Sequence, residues 1–258
     1  MEETGKNPIQ VAERLFQVIE RLAENGPMGI MDLSAELGFH KSTTHRLVTS
    51  LQYMGYIRQD EESLKYALSL KFLEIGSKIL EQTNMASLIH PSLKKLSEQT
   101  GETVHLVRRE GTEAVYIDKV ESTVSSIRMV SRVGSRIPLY CSGVGKALLA
   151  ELPDPEIEDI WNSSEITSLT PYTVTRLSDL MERIRGVREA GYAMDDEENE
   201  EGVRCIAVSI PDYHKEPVYA LSISAPVSRM TDARIAELSA DVLTFKKELE
   251  KTLGFSRS

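Results

Sequence analysis

Between Leu37 and Gln59 the chain carries no Asp or Glu, although its formal net charge is −10. Lys41, His45, Arg46 and Arg58 lie in that window among five Ser and Thr. Basic and hydroxyl groups at this density can bond phosphate oxygens and base edges, and a carboxylate among them would be repelled by nucleic acid. Other candidates lie further on: Cys141 and Cys205, the glycine-flanked "SGVGK", the run "DDEENEE" from Asp195 to Glu201, and the serines of "VYALSISA". Either thiol could act as a nucleophile, but no His stands beside one in a recognisable motif. The absence of C-x-x-C argues against structural zinc or a dithiol redox centre. "DDEENEE" has neither EF-hand order nor a nearby His pair. It reads as a solvated loop with one working carboxylate; no metal ligand is assigned, and a metal site stays open as the alternative. "SGVGK" is not a nucleotide-binding P-loop, because Tyr140 stands where the first Gly belongs and Ala147 replaces the Ser or Thr. Its glycines still place free amides where a loop turns into a helix, a setting that suits an anion.

The elements that position these groups follow from periodicity. Residues 9–24 space Val11, Leu15, Val18, Ile19 and Leu22 as one helical face. "MDLSAELG" reads as a short second helix with Asp32 as N-cap and Gly38 at its end. "KSTTHRLVTSLQYM" reads as a third, buried through Leu47, Leu51 and Met54 with Thr44 at the edge. That leaves Ser42, Thr43, His45, Arg46, Thr49 and Ser50 outside. "YIRQ" and "KYAL" around an acidic tip read as a two-stranded wing. Three helices and a wing make a winged helix-turn-helix, whose third helix enters the major groove by its first turn. Lys41, Ser42, Thr43, His45, Arg46 and Arg58 are the candidate DNA contacts. The competing reading is a solvated polar helix face.

A helical pattern runs from Leu70 to about Gln99 with an interruption near Thr83-Asn84. Its first part, 70–81, reads as a linker helix between an N-terminal domain (1–69) and a larger α+β domain (82–258). In that domain "TVHLVRR", "EAVYIDKV", "SIRMVSRV", "VRCIAVSI" and "VYALSISA" are strand-like, "SGVGKALLAEL" and "LSDLMERIRGVREAG" helical. A last helix carries Ile235, Leu238, Val242, Phe245 and Leu249. The final two strands each have a bulky face and a small, weakly polar face. If they pair, Cys205, Ala207 and Ser209 align with Ser222 and Ser224, either lining a ligand space or packing closely under a helix.

Bulk properties bound the function. No apolar run approaches the ~18 residues of a membrane span. The stretch "MEETGKNPIQ" is unlike a secretory or transit peptide, so a cytoplasmic protein is expected. Residues 1–80 hold 9 Lys and Arg against 11 Asp and Glu, which excludes indiscriminate nucleic-acid binding and requires a local patch.

The chain resembles the IclR family of bacterial transcriptional regulators over nearly its full length. The matching segments are "GFHKSTTHRLVTSL", "YALSLKFLEIG", "TGETVHL", "VYIDKVES", "SRVGSRIPLYCSGVGKALLA", "LTPYTVT", "GYAMDDEENEEGVRCIA" and "LSISAPVSRMT". "IRMVSRVGSRIPLY" and "EENEEGVRCIAV" look like the subgroup represented by KdgR, which responds to pectin breakdown products. His45 stands where many relatives carry an aromatic residue. The resemblance implies a GAF-like effector domain and a repressor of operator DNA. It also implies that operator affinity is set by a small organic acid, such as a keto-deoxy sugar acid. One recognition helix spans only a few base pairs, so a homo-dimer or homo-tetramer is expected, with subunits meeting at Leu70, Leu73, Ile79 and Leu80 of the linker helix. It places Met129, Gly143, Val144, Asp195, Cys205, Ser222 and Ser224 around that effector. No catalytic residue or cofactor is implied; the competing reading is a small-molecule enzyme with an accessory helical domain.

Overall fold

The computed structural model describes residues 9–82, 85–122, 131–212, 214 and 216–253. The chain divides into two compact units, one ending at Thr83 and one beginning at Asn84. The break expected at Thr83-Asn84 lies outside the described residues.

In the first unit, α1 (Gln10–Asn25), α2 (Ile30–Leu37) and α3 (Lys41–Tyr53) enclose a core of Val18, Leu22, Leu33, Leu47, Val48 and Leu51. Asn25-Gly26 ends α1, with Gly26 at φ 72. Gly38 ends α2 in the left-handed region at φ 65, and the N–H groups of Gly38 and Phe39 close onto the Ala35 and Ser34 carbonyls. That reversal sends the chain into α3 after two more residues. Two expectations fail here. Gly29, not Asp32, is the N-cap of α2, because the helix begins two residues before Asp32. Val48, not Met54, completes the buried stripe of α3; Met54 lies past the helix and is exposed. Strands β1 (Ile57–Gln59) and β2 (Tyr66–Leu68) pair antiparallel as the wing. Asp60 Oδ1 accepts from the Ser63 amide and hydroxyl at 2.8 and 2.7 Å, so one acid of the tip builds its turn. Helix α4 (Lys71–Gln82) follows.

The second unit is a six-stranded antiparallel sheet in the order β5-β4-β3-β8-β7-β6, with helices on both faces. The strands are β3 (Thr103–Glu110), β4 (Glu113–Val120), β5 (Arg136–Pro138), β6 (Ala193–Asp196), β7 (Val203–Ile210) and β8 (Tyr219–Pro226). The bulky sides of β3, β7 and β8 (Val104, Leu106, Ile206, Val208, Leu221, Ile223) pack under α5 (Met85–Thr100) and α9 (Asp232–Thr252). The small sides receive α6 (Gly143–Ala150), backed by α7 (Asp154–Asn162) and α8 (Leu177–Ala190). The strand expected over "SIRMVSRV" falls largely outside the described residues, and Ser131–Val133 are not strand.

Candidate functional site

Helix α3 presents Lys41, Ser42, His45, Arg46, Thr49 and Ser50 to solvent, with Thr43 half-buried and Thr44 fully buried. Helices α1, α2, α4, α7, α8 and α9 each carry an acid in the first turn, where it offsets the positive end of the helix dipole. Helix α3 carries none, and no side chain caps it. The His40 carbonyl takes the amides of Thr43 and Thr44 at 2.9 and 3.0 Å. Its first turn therefore offers N–H groups, a positive dipole end and Lys41 together, which is how a helix N-terminus holds phosphate. Arg58 is exposed on β1.

In the second unit the strand register sets two rows across the small-residue face. Asp195, Cys205, Ser224 and Thr103 form one, and Ala193, Ala207, Ser222 and His105 the next. Both readings of these small residues hold at once. A Cβ on Gly143 would meet Ala207 Cβ at 3.5 Å, so α6 packs close over the second row. Beside that contact a cavity of about 30 Å³ remains. Gly143, Val144, Asp195, Cys205, Ser222 and Ser224 all line it, together with His105, Tyr116, Ser131, Ser142 and Asn199. The structure thus gathers six of the seven expected effector residues; Met129 lies outside the described residues.

Helix α6 begins on Ser142, whose hydroxyl accepts the Gly145 amide at 3.1 Å while its carbonyl takes the Lys146 amide. The Gly143 and Val144 amides are the other two N–H groups of this helix start, and neither bonds Ser142. Asp195 is 3% exposed. Its Oδ1 accepts from the amides of Glu198 and Asn199 at 2.8 and 3.3 Å, which leaves Oδ2 for another group. Burial raises its carboxyl from the usual 3.8 to about 7, against the pull of Lys146 and the amides. Burial also pushes the Cys141 thiol up to about 12 and that of Cys205 higher still, so neither is a ready nucleophile.

Two features escape a reading of composition. The acidic run is not solvated throughout: Glu198 is 2% exposed and bonds the equally buried ammonium of Lys146. Thr170 and Thr173 hydroxyls pin the Glu197 and Glu198 carbonyls, each at 2.6 Å, which accounts for "LTPYTVT". His105 is the second. Its Nε2 lies 2.7 Å from Ser131 Oγ, and its Nδ1 lies 3.4 and 3.3 Å from Ser222 and Ser224 Oγ. Burial lowers its pKa to about 3, so the ring is neutral and orients the serines by hydrogen bonding alone. Alternation along "TVHLV" would have found it, since Thr103, His105 and Val107 share one face. Among the described residues no group of three His, Cys, Asp or Glu is placed to hold a metal, and no helix is long and apolar enough to cross a membrane.

A winged helix-turn-helix with an acid-free recognition helix, on one chain with a domain that gathers hydroxyls and a carboxylate around a small cavity, defines a DNA-binding transcriptional regulator with an effector domain. Residues 11–61 match the IclR helix-turn-helix domain, and residues 77–250 match the bacterial transcriptional regulator IclR C-terminal domain. The chain belongs to the IclR family. It is similar to the transcriptional repressor IclR of Escherichia coli K12, at 36% identity over 96% of this chain and 92% of that one. It is similar to the HTH-type transcriptional regulator KdgR of the same organism, at 35% over 97% and 95%. These near-equal identities show the family and do not separate its subgroups. Among solved structures, the Thermotoga maritima IclR aligns over 95% of this chain and 99% of that chain, with a TM-score of 0.63 and 33% identity. The C-terminal domain of E. coli KdgR aligns over 65% and 98%, with 0.58 and 35%.

Proposed function

We propose that this regulator is a cytoplasmic repressor that binds an operator of two inverted half-sites as a dimer or tetramer, and that a small organic acid controls it. Residues 1–69 carry the DNA contacts, 70–81 link, and 82–258 hold the effector. The observation that carries the reading is the small cavity lined together by Gly143 and Val144 of the helix start, Asp195 and two serines. The amides take the acid's carboxylate; Asp195 Oδ2, Ser222 and Ser224 take its hydroxyl or keto oxygen. About 30 Å³ is room for one or two waters. The walls must part for any effector, less for glyoxylate or pyruvate than for a keto-deoxy sugar acid.

Calorimetric titration of the full chain with those acids tests this. Ser222→Ala and Ser224→Ala each remove one hydrogen bond to the acid's hydroxyl or keto oxygen, worth ~0.5–1.5 kcal/mol, so affinity should fall roughly two- to tenfold. An acid that binds wild type and both variants equally would remove these strands from the site. The pH dependence has a definite sign. Below about 7 Asp195 is protonated and tolerates an anion; above it the ionised carboxylate repels one. Affinity should therefore fall as pH rises through 7, by at most about tenfold per unit. Asp195→Asn should abolish that slope.

Assembly is read from α4. Leu70 and Leu73 are 79% and 68% exposed at its start, and Ile75 is partly exposed. The side chains of Ile79 and Leu80, expected on the same helix, lie outside the described residues. One recognition helix reads only a few base pairs, so specificity needs at least two copies. Sedimentation should give a dimer or larger at micromolar concentration. A monomer both with and without DNA would contradict the reading.

A further inference from the structure

Tyr116 lines the small cavity from β4, and among the described residues its hydroxyl makes no hydrogen bond. A tyrosine packed into a domain interior normally finds a partner. The oxygen is not sealed away, because the partnerless buried side-chain atoms among the described residues belong to Arg21, Glu198 and Arg204. A β-bulge puts the side chain there. Between Leu106 and Val107 the pairing of β3 with β4 slips, so that Asp118 stands opposite Leu106 but Tyr116 opposite Val107. Lys119 stands opposite His105 on the cavity face, and regular alternation would bring Ile117 to that face next. The slip turns Ile117 to the α5 side and re-aims Tyr116 at the cavity. The Ser135 carbonyl takes the Tyr116 amide at 3.0 Å, and the ring lies against His105 with centroids 5.1 Å apart. Burial raises the phenol well above its ordinary range, and the nearby Cys205, Asp195 and Glu200 push the same way. All three line the cavity, so it is the hydroxyl end of Tyr116 that faces it, as a neutral donor.

We propose that Tyr116 is a specificity-determining residue of the effector site, whose hydroxyl bonds a hydroxyl of the effector at the end remote from its carboxylate. The inference rests on the acid reading of this cavity and adds a length and a polarity to it. The helix start lies against β6: a Cβ on Gly143 would come within 3.4 Å of the Asp195 amide nitrogen. Tyr116 stands at the other end of the run β4-β3-β8-β7-β6, with Ser222 and Ser224 on the middle strand. A short acid such as pyruvate, its carboxylate at the helix start, reaches the serines and no further. A longer chain reaches Tyr116, and bonds it only with an oxygen of its own. The site therefore favours a long hydroxylated acid over a short acid and over an alkyl acid of equal length.

Calorimetric titration of the full chain, wild type and Tyr116→Phe, with pyruvate, α-ketocaproate and keto-deoxygluconate tests the assignment. The last two have equal chain length, and only keto-deoxygluconate carries hydroxyls. The substitution keeps the ring against His105 and breaks no hydrogen bond of the free protein, so the thermal midpoint should stay in place. Affinity for keto-deoxygluconate should fall roughly two- to tenfold, the loss of one neutral hydrogen bond, while pyruvate and α-ketocaproate bind as before. Equal weakening of all three acids, or an unchanged affinity for keto-deoxygluconate, would overturn the assignment. Ser222→Ala, titrated in parallel, should weaken all three. If it weakens none while Tyr116→Phe still acts on keto-deoxygluconate alone, the serines leave the site and Tyr116 stays. If it weakens all three and Tyr116→Phe weakens none, the acid site stands without Tyr116. Failure of every acid to bind wild type would overturn both.

Discussion

Gly145→Ala is expected to destabilise the second unit by roughly 3 kcal/mol or more, at the upper end of what one added methyl does. A Cβ at Gly145 would lie 2.2 Å from the Leu139 carbonyl oxygen and 2.3 Å from its Cα. Those atoms are backbone and cannot turn aside as a side chain would. The chain crosses itself there because Leu139–Cys141, all buried, run directly beneath the first turn of α6. Admitting the methyl means lifting α6 off β7 and β8 or breaking the Ser142 cap that fixes its start. Either movement opens the cavity, so acid binding should be lost with stability. Gly186→Ala is the matched control: the same change in a helix with open space should stabilise by about 1 kcal/mol. Denaturant unfolding of the full chain, followed at Trp161 in the second unit, reads both. An unchanged midpoint for Gly145→Ala would mean that α6 is not held as described.

What could be read in advance was whatever depends on local periodicity. The alternation of "VRCIAVSI" and "VYALSISA" sorted bulky from small faces, and the register of β7 on β8 places Cys205 opposite Ser224 and Ala207 opposite Ser222. The acid-free window was legible because charge exclusion is a property of composition. Short elements at the sheet edges, β5 and β6, were not, since three or four residues give too little alternation to see. Glu198 was misjudged for a different reason. Six acids in seven residues describe a solvated loop, and only Lys146, 52 positions earlier and folded beneath it, makes a buried carboxylate tolerable. His105 stands on a face that the alternation of "TVHLV" makes legible, but its role does not show there, because its partners, Ser131, Ser222 and Ser224, come from other segments. Contacts made by distant segments leave no local trace.

Arg46→Ala is expected to weaken operator binding roughly a hundredfold or more while leaving fold and effector binding intact. Arg46 is exposed on α3 and makes no ion pair among the described residues, so its removal strands no partner. Its position one turn into an uncapped, acid-free helix puts a fixed positive charge where the major groove would lie. A bidentate contact to a base edge is worth ~1–3 kcal/mol, and an operator with two half-sites loses it twice, which gives the expected factor. The manner of loss separates two roles. If Arg46 reads a base, the loss concentrates at one position of each half-site and the salt dependence barely changes. If it holds phosphate, all sequences weaken alike and the slope of log K against log[salt] falls by about 0.9 per contact. Arg58, on the wing beside an acidic tip, should behave in the second way and by less. Gel-shift titrations at several salt concentrations on the native operator and its point variants distinguish these cases. Unchanged affinity at every salt concentration would place Arg46 outside the interface and shift the recognition surface toward Lys41 and the first turn alone.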